Sequence, residues 1–232
     1  MDKNIHIACL NGNQELINTL IFEEPSCINS RDQDQRTPLH WACVGSHIDI
    51  VFWLLERPDI EVNAKDEGGW TALHISASLG NEAIVTKLLS LERCDVSAKN
   101  RGGQTALHYA VSKNHIKIAE KILKKAPFLV NEKDNQHQIA LHRASAIGSI
   151  ALIYLLLSRG SSINALDIGG NTPLHHAFEE CHPEAVIELL KQGADPLQKN
   201  NDNKTPIEVC GDIDVKKKIL LRCKDEGIKL LV

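Results

Sequence analysis

Eleven histidines and seven cysteines in 232 residues are the groups that could bind zinc, relay protons or act as nucleophiles. Their spacing argues for another role. Six histidines, at 6, 40, 74, 108, 142 and 175, recur every 33 or 34 residues. Three more, His47, His115 and His182, each stand eight residues after the leucine that precedes such a histidine. Groups one period apart in a stack of such units sit about 10 Å apart, too far to share a metal held at bonds of about 2 Å. Only His137 and His176 fall outside the two series. The cysteine count is odd and no Cys-x-x-Cys occurs, which argues for reduced thiols in the cytoplasm or nucleus. Cys9, Cys43 and Cys210 occupy small core slots, Cys181 replaces a glycine between two helices, and Cys27, Cys94 and Cys223 lie in turns or at the end. The pairs Gly68-Gly69, Gly102-Gly103 and Gly169-Gly170 are turns rather than a phosphate loop. The expectation is no catalytic centre, no metal and no cofactor.

The element that places these groups is one phrase written six times. Thr37-Pro-Leu-His40, Thr71-Ala-Leu-His74, Thr105-Ala-Leu-His108, Ile139-Ala-Leu-His142, Thr172-Pro-Leu-His175 and Thr205-Pro-Ile-Glu208 are spaced 34, 34, 34, 33 and 33 residues apart, and a degenerate copy begins at Asn4. A period near 33 with T-P-L-H-x-A resembles the ankyrin repeat. The expected fold is all-α, a solenoid of seven helix-turn-helix ankyrin repeats with β-hairpin-like fingers. It forms a single domain over 1–232, with repeats at about 2–31, 32–65, 66–99, 100–133, 134–166, 167–199 and 200–224 and a tail over 225–232.

Residues 66–97 show how one repeat works. Asp66, Gly68 and Gly69 make a turn, because glycine tolerates positive φ and Asp bonds its own backbone. Thr71 is placed as an N-cap, with His74 three residues on in capping-box position. Leu73, Ser76 and Ala77 face inward and Gly80 ends the first helix. The second helix carries the apolar stripe Ile84, Val85, Leu88 and Leu89. A lone repeat cannot bury that stripe, so stacking makes the core. The 33-residue repeats end their second helix at Gly160 or Gly193, placed as a C′ glycine. The last repeat has Glu208 for histidine and closes with a helix over roughly 215–223. The fifth has Ile139 for threonine and His137 for the turn glycine, which predicts a weak point.

Net charge is −4, but residues 1–66 hold eleven acids and five bases, so the first part is acidic and the rest slightly basic. Nothing suggests a nucleic-acid or membrane partner, and a monomer is expected when free. The first helices are expected to line a concave face. Its exposed slots are the finger, the residue before Thr, the one after His, and those three and four further on. The slots hold Asp32, Asp34, Arg36 and Trp41, then Trp70 and Ile75, then Tyr109 and Lys113, then Arg143, then His176. The chain has three Trp and two Tyr, so two Trp and one Tyr on consecutive slots have the composition of a binding hot spot.

Specific strings sharpen this. Asp32-Gln-Asp-Gln-Arg-Thr-Pro-Leu-His-Trp-Ala-Cys43, Gly69-Trp-Thr-Ala-Leu-His-Ile-Ser-Ala77, Leu107-His-Tyr-Ala-Val-Ser-Lys-Asn114 and Leu141-His-Arg-Ala-Ser-Ala146 resemble the gankyrin family of seven-repeat proteasome proteins, along essentially the whole chain. The resemblance implies a non-catalytic chaperone for assembly of the proteasome regulatory-particle base. Such a chaperone grips the C-terminal domain of one ATPase subunit with its concave face. The matching positions are Asp32, Asp34, Arg36, Trp41, Asp66, Trp70, Tyr109, Lys113 and Arg143. A generic ankyrin scaffold for a kinase or transcription regulator is the alternative. The L-x-C-x-E segment through which mammalian gankyrin is linked to the retinoblastoma protein is absent, since His176-Ala-Phe-Glu-Glu180 stands there, so that partner is not expected.

Overall fold

The computed structural model describes residues 4–225, 227 and 228. Most of the 225–232 tail lies outside them. The described residues are helical with intervening turns, and none lies in a β-strand. They divide into two compact units, 1–126 and 127–232.

In the first unit the helices come in pairs: α1 (Ile5–Leu10) with α2 (Gln14–Glu23), α3 (Pro38–Val44) with α4 (Ile48–Leu55), α5 (Ala72–Leu79) with α6 (Glu82–Ser90), and α7 (Ala106–Ser112) with α8 (Ile116–Lys125). The first helices form one layer, α1 on α3, α3 on α5 and α5 on α7. The second helices form another, α4 on α6 and α6 on α8. Ile84, Val85 and Leu88 are wholly buried between the layers, and the small Ala42, Ala77 and Ala110 let the first helices approach. In the second unit α9 (Ala140–Ala146) pairs with α10 (Ile150–Ser158), α11 (Pro173–Glu179) with α12 (Pro183–Lys191), and α13 (Pro206–Val209) with α14 (Ile213–Asp225). Here α9 packs on α11 and α11 on α13, with α10 on α12 and α12 on α14 behind them. Gly160 and Gly193 follow α10 and α12 at positive φ, as the shorter spacing predicts.

The fingers are turns rather than hairpins. Each is closed by two backbone bonds, such as Asp66 N–H to Trp70 C=O and Gly69 N–H to Asp66 C=O, both at 2.9 Å, or Asp167 N–H to Asn171 C=O and Gly170 N–H to Asp167 C=O, both at 3.0 Å. Within a unit, consecutive fingers are joined by one more, such as Glu67 N–H to Asp34 C=O at 2.8 Å. The closing helix runs longer than the 215–223 expected from sequence, because Asp212 caps it through the Asp214 and Val215 N–H groups. Cys223 is therefore helical and buried rather than terminal.

The repeated histidines hold the stack together. In His74, Nδ1 accepts the Thr71 N–H at 3.2 Å and Nε2 meets the Gln104 carbonyl at 3.0 Å, one repeat on. A carbonyl only accepts, so Nε2 carries the proton and Nδ1 is the acceptor. His40 bridges to Trp70 and His175 to Lys204 in the same way. The second series points backward: Nε2 of His47, His115 and His182 meets the carbonyls of Leu10, Ser78 and Ala146. Those rings fill the space beside Gly80 and Gly148, where a Cβ would come within 2.6 Å of the imidazole. At Ile139 only half the box remains, since His142 Nδ1 still accepts the Ile139 N–H but isoleucine has no hydroxyl. Glu208 replaces histidine in the last phrase, keeping the bond to the Thr205 N–H with no forward carbonyl to reach.

Candidate interaction surface

In the first unit the slot residues are tied together before any partner arrives. Asp32 opens its finger, and one carboxylate oxygen accepts the Asp34 and Arg36 N–H groups at 3.0 and 2.8 Å. The other accepts the Trp41 indole N–H at 2.7 Å. Burial opposes the charge on Asp32, but these three donors hold its carboxyl below the usual range. The Arg36 guanidinium lies over the Trp41 ring, 5.0 Å from its centroid, and its Nε reaches Asp66 at 3.3 Å. Asp66, its side chain 6% exposed, also accepts the Trp70 N–H at 2.8 Å. Trp70 then packs on Tyr109, ring centroids 4.1 Å apart and tilted by 43°. The Tyr109 hydroxyl accepts from Asn100 at 2.9 Å and donates to Gln104. Arg36, Trp41, Trp70 and Tyr109 each keep part of their surface in water.

Asp34 and Lys113 differ from that set. Both are exposed, and neither makes an ion pair among the described residues. Ile75, expected as an exposed slot, is buried instead. It follows His74 as Trp41 follows His40, but it has no polar edge for the finger, and Asp66 takes Arg36 instead.

Arg143 belongs to the second unit. Its guanidinium bonds to Asp134, whose side chain is 1% exposed, and Arg143 itself is 21% exposed. Asp134 also accepts the Gln136 and Gln138 N–H groups at 2.9 Å. One repeat on, His176 Nε2 meets Asp167 at 2.9 Å, and Asp167 caps Gly169 and Asn171. Burial is the largest influence and opposes the Asp167 charge, but the His176 hydrogen bond, the Asn171 N–H and the nearby imidazoles together hold its carboxyl below the usual range. The His176 ring stands edge-on to His142 at 5.5 Å. Burial, with His176 nearby, pushes His142 down to about 4.

One rule joins these pairs. The residue after the motif histidine bonds the Asp or Asn nine positions earlier: Trp41 to Asp32, Tyr109 to Asn100, Arg143 to Asp134 and His176 to Asp167. Asn100, Asp134 and Asp167 were not among the residues singled out from sequence. The constant nine-residue spacing is the signal that would have found them.

Among the described residues, no group of three or more His, Cys, Asp or Glu side chains is placed to hold a metal ion, and no helix is long and apolar enough to cross a membrane. Cys9 and Cys43 are fully buried, and burial pushes both thiols up to about 12, so they act as small apolar core residues.

The family described as ankyrin repeats in three copies matches residues 3–66, 60–134 and 126–200, and the chain belongs to the ankyrin-repeat family. This fold is generally a non-catalytic scaffold for protein–protein interaction. Oxysterol-binding protein-related protein 1 of Rattus norvegicus is 38% identical over 71 residues, which is 30% of this chain and 8% of that protein. Ankyrin repeat-containing protein C6C3.08 of Schizosaccharomyces pombe is 39% identical over 75 residues, 32% of each. The matches thus span a third or less of these relatives. Solved structures match along nearly the whole chain. The ankyrin repeat domain of Bcl-3, described as a member of the IkappaB family, superposes with a TM-score of 0.78 at 27% identity, covering 95% of this chain and 98% of that one. The human ASB11 ankyrin repeat domain gives 0.80 at 25% identity, covering 94% and 96%.

Proposed function

We propose that this chain is a non-catalytic chaperone for assembly of the proteasome regulatory-particle base. It has seven ankyrin repeats, is monomeric when free, and works in the cytoplasm and nucleus. It binds the C-terminal domain of one proteasomal ATPase through the exposed side of its first helices. The observation that carries this reading is the continuous network from Asp32 through Trp41, Arg36 and Asp66 to Trp70 and Tyr109. Arg36, Trp41, Trp70 and Tyr109 exceed what a repeat needs, and they lie in the strings that resemble gankyrin. Side chains already fixed by internal bonds lose little freedom when a partner docks, so more of the contact energy goes to affinity. Asp34 and Lys113, exposed beside the network, offer charges for a partner, and Arg143, in the second unit, is a candidate position through the resemblance.

The test uses purified protein and the isolated C-terminal domain of each proteasomal ATPase, with binding read by calorimetry. One domain should bind at one-to-one stoichiometry. Asp34→Lys with Lys113→Glu should weaken binding at least tenfold while leaving the melt unchanged. Binding to none of the domains sinks the reading. A second reading is a generic ankyrin scaffold for a kinase or transcription regulator, consistent with membership of the ankyrin-repeat family. It predicts no ATPase binding and sensitivity of another complex to the same double variant.

A further inference from the structure

Where one repeat's first helix ends in a left-handed residue, the next repeat supplies a partner for it. Gly12, Gly80 and Gly148 are met by the rings of His47, His115 and His182, and Ser46 by the Asn81 amide at 2.9 Å. Cys181 holds the same position, at φ 57°, but what faces it is another thiol. Its Sγ lies 3.9 Å from Cys210 Sγ, across 29 residues of sequence. The cause is a shortened last repeat. Eleven residues separate Thr172 from the start of α12 at Pro183, but only eight separate Thr205 from the start of α14 at Ile213. α13 therefore stops at Val209, and Cys210 turns out of the helix with extended backbone (ψ 120°). Asp212, which caps α14, accepts the Cys210 thiol through its carbonyl.

We propose that Cys181 and Cys210 form a thiol-modification site that reacts with hydroperoxides to give a reversible disulfide. The two thiols differ in access: Cys181 is half-buried and Cys210 is 2% exposed. Cys181 is therefore attacked first. It loses its proton to water, and its sulfur attacks the distal oxygen of the peroxide: the S–O bond forms, the O–O bond breaks, and the departing alkoxide, or hydroxide from hydrogen peroxide, takes up that proton and leaves as alcohol or water, giving a sulfenic acid. Cys210 sulfur then attacks Cys181 sulfur. The S–S bond forms, the S–OH bond breaks, and hydroxide leaves with the Cys210 proton as water. One peroxide is reduced and two thiols are oxidised. The sulfurs must close from 3.9 Å to a bond of about 2.05 Å. Burial, then the neighbouring Cys210, keeps the Cys181 thiol above its usual pKa, so the reaction is slow. The fully buried Cys9 and Cys43 lack access to peroxide. The linkage would tie α13 and α14 to the turn after α11.

Treating the full chain with hydrogen peroxide, then alkylating the remaining thiols in denaturant and digesting it, tests this. A cross-linked pair of peptides containing Cys181 and Cys210, lighter by two hydrogen atoms and released by dithiothreitol, is expected, with Cys9 and Cys43 fully alkylated. Cys181→Ser, at a half-buried turn, should abolish the cross-link. In the wild type, hydrogen exchange in α13 and α14 should slow at least tenfold on oxidation. The proposal is overturned if Cys181 proceeds to sulfinic acid while Cys210 stays alkylatable. It is equally overturned if the linkage runs through Cys27 or between chains.

Discussion

The slot after the motif histidine is used differently in the two units. In the first it holds Trp41, Ile75 and Tyr109; in the second, Arg143 and His176. Ile75 apart, the tether is the same, a bond to the finger residue nine positions back, but the chemistry is not. The Trp41 indole N–H donates to the half-buried Asp32 carboxylate and the Tyr109 hydroxyl accepts from the neutral Asn100 amide, while part of each side chain stays in water. Arg143 and His176 instead meet Asp134 and Asp167, whose side chains are 1% and 6% exposed. The finger tether is therefore a property of the scaffold, and what varies is the face it displays. The first unit shows apolar rings whose polar edges are already satisfied, the composition that binding hot spots favour. The second spends its polar groups on internal pairs.

The comparison can be broken most forcefully at Asp134. Removing a buried carboxylate from its cationic partner costs about 3 kcal/mol, and Asp134 caps its finger as well. Asp134→Ala should lower the urea-derived stability by about that much, whereas Asp32→Ala, half-buried with neutral partners, should cost about 1 kcal/mol. Equal losses would mean that the ion pair adds nothing beyond the turn.

Acid should separate the units next. His40, His74, His142 and His175 all have depressed folded pKa values, from burial first. Their stabilisation is complete above the unfolded value near 6.5 and falls as pH drops below it, because the unfolded chain binds protons that the folded chain refuses. The window for His142 runs from 6.5 down to about 4, at up to about 1.4 kcal/mol per pH unit. Denaturation midpoints from pH 7 to 4.5 should fall, and His142→Gln should flatten the slope. An unchanged slope would refute the neutral bridging role.

A smaller effect is expected at Tyr109. Tyr109→Phe keeps the stack on Trp70 and loses the hydroxyl bonds, costing about 1 kcal/mol; Trp70→Ala should add about 1 kcal/mol to that loss by removing the ring pair. Thermal melts of both variants measure the difference. Smallest is a gain. Gln35 and His137 sit at φ 62° and 57°, where Gly69 and Gly170 stand in other fingers. Gln35→Gly and His137→Gly should each stabilise by about 0.5 kcal/mol, the relief of left-handed strain less the added chain entropy. Loss of stability would show that these side chains hold their fingers.

Much of the site could be read from the chain, and particular residues show where reading stopped. Trp41 and Tyr109 stood out because a repeat has no use for them at those slots. Ile75 was misplaced, because slot counting treats every position after His as exposed, whereas an isoleucine without a finger partner turns into the packing. Residue by residue, Asp66 read as turn chemistry and became a partner position only through the resemblance; its bond to Arg36 depends on how far one finger lies from the next.

The helical pairs, their caps, the core stripes and the bridging role of the histidines were decided locally. They repeat with the period of the chain, and each needs only its own residues or the same slot one repeat away. The tertiary structure decided the rest: which finger oxygen takes which neighbour, that Ile75 is covered, and that the short last repeat brings Cys210 to Cys181. Those outcomes depend on distances between side chains from different repeats, and a period in sequence does not carry them.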